Sequence, residues 1–311
     1  MPQQPSTLDH RLVVVTGKGG VGKTTVAAAL ALLGARGGRR TIAAELSGQR
    51  RIPALLGHPT AGAPGVEEEL SPGLWATTLD PEGALAEWAG RLVRPRALVE
   101  VAVRSRAFAG FVQAAPGARE LVSITKAWEL GERERWLRER RAFDLVVLDA
   151  PASGHGLGLL RTPATFAEIA RVGPIASQAR LVADLLRDPQ RCALVLVATA
   201  EETPVNETLE LQARLEEQLG RGPSLIVLNG LMRDRLSARE TETVRGAGTA
   251  VAAPVGRALE SRRTRAELQA TQLRRLRRGA RAPVVTLPLL TEHALGPDEL
   301  GVLAAELGRR L

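Results

Sequence analysis

Gly17, Gly22, Lys23 and Thr24 stand at the spacing G-x-x-x-x-G-K-[ST], after the apolar run Val13-Val14-Val15-Thr16 and before the alanine-rich stretch 26–35. Those flanks read as strand and helix, and the loop between them is suited to hold a polyphosphate. Gly17, Gly19, Gly20 and Gly22 let the backbone close on an anion. Successive N–H groups, those of Val21 and Thr25 among them, then turn inward while the new helix points its positive end at the same phosphates. Lys23 adds a point charge beside the outer phosphates, and the Thr24 hydroxyl is placed to ligate a magnesium ion.

Lysine usage marks this loop a second time. Of 42 basic residues only Lys18, Lys23 and Lys126 are lysines, and two of them fall here. Where arginine is the default cation, a surviving lysine marks a place that wants a compact ammonium instead of a planar fork. Lys18 is not demanded by the general loop. Two ammonium groups at one helix N-terminus repel unless a polyanion, the chain's own or a second subunit's, neutralises both.

Strands and helices must position these groups. Short apolar runs at 143–149, 192–199, 224–229 and 283–287 read as strands covered on both faces, with earlier strands at 40–45 and 74–80. Helical segments at 162–187, 203–219, 234–245, 255–278 and 297–310 alternate with them. The fold class predicted is a doubly wound, mostly parallel α/β sheet forming a single domain over 1–311, with a helical subdomain inserted at 81–141. Asp149 ends the most apolar strand, where such sheets gather their ligands and hold magnesium. The glycine-rich segment after it, 149–160, reads as a loop that changes shape with the terminal phosphate.

Composition narrows the function further. At 311 residues and 44% hydrophobic content the chain can bury a large core. Neither a secretion signal nor an uninterrupted apolar span is seen, so a cytoplasmic location is expected. Cys192 is the one cysteine, which excludes an internal disulfide or a cysteine-pair metal site, and His10, His58, His155 and His293 have no ligand spacing. The net charge of +8 concentrates in Arg262, Arg263, Arg265, Arg274, Arg275, Arg277, Arg278 and Arg281. With no Tyr and four Phe to stack bases, that cluster reads as a solvated helix face, and neither nucleic acid nor membrane is an expected partner.

The loop Gly17-Lys18-Gly19-Gly20-Val21-Gly22-Lys23-Thr24-Thr25 resembles the deviant loop of the signature-lysine P-loop ATPases, a group that includes chromosome-partitioning, division-site and arsenical-pump enzymes. The run Asp149-Ala150-Pro151-Ala152-Ser153-Gly154-His155, followed by Leu159-Leu160 and Pro163, is similar to the second switch of the arsenical-pump and tail-anchored-protein-targeting ATPases. Further likeness lies in Glu202-Thr203-Pro204, Val227-Leu228-Asn229-Gly230 and Leu287-Pro288-Leu289-Leu290. The resemblance implies a P-loop NTPase fold and an ATP hydrolase that uses ATP and Mg2+. It implies a homodimer, or a heterodimer with a paralogous ATPase, whose switching acts on a protein client. Lys18 would reach the partner's nucleotide, Lys23 and Asp149 would share the catalytic work, and Thr24 and Asp149 would hold the metal. Asn229 would contact adenine, Pro288 and Leu289 would line the base pocket, and Glu207 would lie near the nucleotide.

One departure concerns the water-orienting aspartate that the family carries at the end of its second strand. Here Glu45 stands there, one methylene longer, as a catalytic candidate that is slow, repositioned, or part of a subunit that completes a partner's site. The cysteines that bind arsenite in the pump enzymes, and the cysteine pair that joins zinc-bridged dimers, have no counterpart. Two alternatives remain open: a weakly catalytic or non-catalytic nucleotide-binding subunit of a heterodimer with a paralogue, and a positioning ATPase that binds membrane or DNA. Lys126 in the insertion reads as an ion-pairing residue, a relay to a client surface, or a surface residue that drifted.

Overall fold

The computed structural model describes residues 6–46, 50–60, 64–92, 117–137, 139–170, 172–232, 242, 252–290 and 295–311. Its centre is an eight-stranded sheet in the order β3-β4-β2-β5-β1-β6-β7-β8. The strands are β1 (Leu12–Gly17), β2 (Thr41–Glu45), β3 (Glu68–Ser71), β4 (Leu74–Thr78), β5 (Leu145–Ala152), β6 (Cys192–Thr199), β7 (Leu225–Leu231) and β8 (Val284–Pro288). All described neighbours are parallel except β3 and β4. The short antiparallel edge strand β3, Glu-Glu-Leu-Ser, is absent from the sequence reading because it lacks the apolar run that betrays the buried strands.

Helices cover both faces. They are α1 (Lys23–Arg36), α2 (Arg51–Leu55), α3 (Pro81–Leu92), α4 (Ala118–Leu130), α5 (Ser153–Ala170), α6 (Pro174–Arg187), α7 (Glu202–Leu219), α8 (Ala252–Gly279) and α9 (Pro297–Gly308). Because side chains alternate along a strand, β1 sends Val13 and Val15 to one face and Leu12 and Val14 to the other. The first face packs on α1 and on Leu300, Leu303 and Leu307 of α9. The second packs on α4, α5, α6 and α7. Every residue of β1 is buried, so burial on both faces produces the continuous apolar runs seen in the sequence.

Two expectations change. The glycine-rich segment 149–160 is not a loop: β5 runs on to Ala152 and α5 starts at Ser153. Burial of Leu157, Leu159 and Leu160 outweighs the weak helix propensity of glycine. Gly156 is needed there for close approach, since a Cβ would sit 2.4 Å from Thr16 Oγ1. The single helix expected over 162–187 is two helices, broken at Gly173, whose φ of 95° favours glycine. Apart from Glu242, which is helical, the helix expected over 234–245 lies outside the described residues, as do the apolar residues Val93, Phe108, Phe111 and Val112 and the side chain of Leu92.

Of the inserted subdomain, α3 and α4 are described. They flank an apolar cavity of about 110 Å3 lined by Leu85, Trp88, Leu121, Val122, Phe166 and Ile175. Lys126 of α4 is buried between them. It pairs with Glu129 at 2.9 Å and with Glu87, and lies 5.2 Å from the Trp136 ring centroid. Arg135, also buried, reaches Glu129 at 2.8 Å and Glu67 at 2.6 Å. Lys126 is therefore an ion-pairing residue that joins α3 to α4, while Arg135 ties the end of α4 to Glu67 beside the edge strand β3. No helix among the described residues is long and apolar enough to cross a membrane. The arginines of α8 are mostly exposed, and Arg263 pairs with Glu267 one turn along at 2.9 Å.

Candidate functional site

The site forms at the carboxyl end of β1, where α1 starts. In register, Val15 of β1 is opposite Asp149 of β5, and Asp149 is opposite Glu45 of β2, so the two carboxylates leave adjacent strands beside the loop. Two glycines of the motif are required by space as well as by backbone angle. At Gly17 a Cβ would fall 2.3 Å from Val197 O, and at Gly22, with φ 88°, 2.2 Å from Asn229 Nδ2. At Gly19 and Gly20 a Cβ would meet nothing within 4 Å. The cavity over the loop measures about 450 Å3 and is lined by Gly20, Gly22, Lys23, Thr24 and Thr25 on one wall and by Arg51, Ala54, Leu55 and Leu295 on the other.

Within it the predicted chemistry converges. Thr24 Oγ1 donates to Asp149 Oδ2 at 2.6 Å, whereas Asp149 Oδ1 is buried with no hydrogen-bond partner. Burial raises the Asp149 pKa above the ordinary 3.8, against the opposing pull of the Thr24 hydrogen bond and the Lys23 charge. A hard divalent cation fits this pair, because hydroxyl and carboxylate oxygens suit Mg2+ and the orphaned Oδ1 is the kind of buried acceptor that a metal or its water satisfies. Lys23 Nζ donates to Lys18 O at 2.8 Å, bridging the mouth of the loop. Desolvation lowers its pKa, and the Asp149 carboxylate partly restores it.

Other candidates are held in ways their sequence positions do not reveal. Glu45 is buried and accepts the N–H of Arg51 at 3.0 Å with one oxygen and that of Ile52 at 3.2 Å with the other. Burial raises its pKa above 4.5, opposed by those two N–H groups. Asn229 Nδ2 donates to Val21 O at 3.0 Å, so this carboxamide braces the phosphate loop from below. Pro288 and Leu289 lie at the end of β8, where the Leu289 N–H donates to Leu231 O at 2.9 Å and the side chain is exposed. Lys18 leaves its own loop altogether: Nζ is 2.7 Å from Glu207 Oε1 on α7. Two further residues carry no motif signal. Gln269 of α8 clamps the end of β7, accepting from Met232 N–H at 2.7 Å and donating to Gly230 O at 3.3 Å, and Arg51 lines the phosphate cavity.

The raised Asp149 pKa has a checkable consequence. A metal needs the carboxylate, so protons compete from a pH above the ordinary aspartate range, and Mg2+-dependent nucleotide binding should weaken on mild acidification. Titrating Mg2+ against bound nucleotide at descending pH reads this, and a requirement flat across the mildly acidic range contradicts it.

The family model described as "Anion-transporting ATPase" matches residues 10–171, from before β1 to the end of α5. The chain belongs to that family. It is 34% identical over 221 residues to "ATPase BagA" of Mycobacterium tuberculosis, covering 66% of this chain and 61% of the relative. To the "Putative arsenical pump-driving ATPase" of Halobacterium salinarum it is 24% identical over 310 residues, 96% of this chain and 44% of the relative. To an "Arsenical pump-driving ATPase" of Escherichia coli it is 25% identical over 242 residues, covering 73% and 40%. The chain thus spans about three fifths of the mycobacterial relative's length and less than half of the other two. Membership in the anion-transporting ATPase family accounts for the P-loop architecture.

Proposed function

We propose that the chain hydrolyses ATP with Mg2+, and that turnover requires association with a second subunit, a copy of itself or a paralogue, whose switching acts on a protein client. One observation carries the hydrolytic part: Thr24 and Asp149 meet at 2.6 Å beside Lys23, with an unsatisfied carboxylate oxygen left over. Backbone N–H groups of the loop and the Lys23 ammonium bind the phosphates, and Thr24 and Asp149 hold the metal. When bound, Mg2+ supplies charge that offsets the phosphate oxygens in the transition state.

Support for association comes from Lys18. Its ammonium lies away from Lys23, about a third exposed, on a carboxylate exposed to the same degree. An ion pair that open is worth at most about 1 kcal/mol, so exchanging Glu207 for a partner's phosphate costs little. Support for coupling comes from α5, which starts four residues after Asp149 and contributes Phe166 to the apolar cavity beside α3 and α4. Movement at the nucleotide therefore has a continuous path along α5 to the helical side. Thiolate chemistry finds no support: burial pushes the Cys192 thiol up to about 12 and holds it neutral.

Phosphate release by the purified chain, alone and with proteins that co-purify with it, tests the proposal. Turnover is expected with Mg2+ and is expected to fall to background when EDTA removes the metal. ATP that binds tightly yet is never hydrolysed, in any associated form, would support the non-catalytic alternative instead.

A further inference from the structure

We propose that Arg51 is a catalytic residue supplied within the subunit, a guanidinium that engages the terminal phosphate of ATP, and that Glu45 is the residue that positions it. This rests on the reading of the site as an ATP-hydrolysing one. Arg51 opens α2 and faces Lys23, Thr24 and Thr25 across the cavity over the phosphate loop. Its charge is felt by both strand-end carboxylates, lowering the pKa of Asp149 and that of Glu45 against their burial. The guanidinium makes no hydrogen bond to another described residue, and Arg51 is exposed. It is thus a cation at the wall of a phosphate cavity with its forked donors uncommitted.

Glu45 fixes where that cation stands. Both of its oxygens are engaged by the N–H groups of Arg51 and Ile52, which pins the start of α2 to the end of β2. A carboxylate so occupied is oriented toward the backbone and not toward an attacking water. Arg50, just before, is the one non-glycine among the described residues with positive φ, at 49°. That conformation is unfavourable for a residue with a Cβ, and it persists here where the chain turns to present Arg51. The longer acid at position 45 is thereby explained: glutamate reaches the two N–H groups, and the work assigned to it shifts from the water to the arginine.

In hydrolysis a water oxygen bonds to the terminal phosphorus, the bond to the ADP oxygen breaks, and the water's proton leaves with the phosphate or solvent. Arg51 exchanges no proton in that step. Its two parallel N–H donors would meet terminal-phosphate oxygens, a match that a lysine cannot make. Because the contact is to a phosphate that ADP lacks, it favours ATP over ADP before any subunit association.

The test is competition of ATP and ADP against a fluorescent nucleotide, at protein concentrations below association, together with turnover at concentrations above it. Arg51→Ala is expected to weaken ATP binding by about tenfold while changing ADP binding by less than about threefold, and to slow turnover by about 10- to 100-fold. Arg51→Lys should recover only part of the ATP preference. Glu45→Gln, which keeps one acceptor oxygen and loses the other, should lose part of the same preference; an intact preference there removes the positioning role. An R51A chain with the wild-type ATP-to-ADP ratio and wild-type turnover overturns the proposal while leaving the ATPase reading in place. A wild-type chain that binds no nucleotide overturns both.

Discussion

Lys18→Ala is expected to lower ATP turnover by about a thousandfold, with ATP affinity changed by no more than a few-fold. The first half follows from charge. A cation placed where negative charge develops in phosphoryl transfer is worth about 10³–10⁵ in rate when it is supplied across an interface. The second half follows from geometry, because Lys18 Nζ sits on Glu207 of α7 and not in the phosphate cavity, which Lys23, Thr24 and Arg51 line instead. Single-turnover phosphate release alongside nucleotide titration separates the two effects. A parallel loss of binding and turnover would place Lys18 in its own subunit's site and remove the interface role.

Arg135→Met is expected to cost about 3–5 kcal/mol of stability, measured by urea unfolding, because it strands a buried charge. Glu129 is 1% exposed and is held by Arg135 and Lys126 from either side. Burial opposes the charge on Glu129, but the hydrogen bond and charge of Arg135, with those of Lys126, outweigh it and hold the carboxyl below 4.5. Removing Arg135 leaves that carboxylate with Lys126 and the Trp136 N–H alone and leaves Glu67 without its shorter ion pair. Adding Glu129→Gln to Arg135→Met should recover a substantial part of the loss, since the amide carries no charge to desolvate. A loss under about 1 kcal/mol for the single variant would mean that water reaches this network. The consequence reaches function, because these pairs join α3 and α4 to the loop before β3 and so hold the helical side on the sheet.

What could be read from the letters alone was whatever is decided locally. The strand, loop and helix from Leu12 to Arg36 need only β-branched residues, glycines at fixed spacing and an alanine-rich run, and each has one favourable outcome. The buried strands announced themselves through unbroken apolar runs, and Asp149 through its position after one. Long-range packing decided the rest. Glycines at 154, 156 and 158 read as a loop, yet Leu157, Leu159 and Leu160 seal against the sheet and make that stretch helical. Glu45 was visible as an acid at a strand end, but which N–H groups its oxygens accept depends on how the chain turns back at Arg50. Arg51 carried no signal at all, being one arginine among many, and only its place in the cavity distinguishes it. Asn229 was recognisable, but not that its amide would serve Val21 from 208 residues away. Lysine rarity marked Lys126 as special, while its partner Glu87 became known only from the packing of α3 on α4.

Subunit mixing tests the central claim most directly. A Lys18→Ala chain keeps a complete nucleotide cavity but lacks the reaching ammonium, and a Lys23→Ala chain keeps Lys18 but cannot hold a competent nucleotide. Each alone should be inactive. Combined, with mixed complexes confirmed by native mass, they are expected to regain about a quarter of the wild-type turnover, because half of random pairs then hold one complete site out of two. Mixed complexes that form and stay inactive at every ratio would show that Lys18 acts within its own subunit, contradicting its role across the interface.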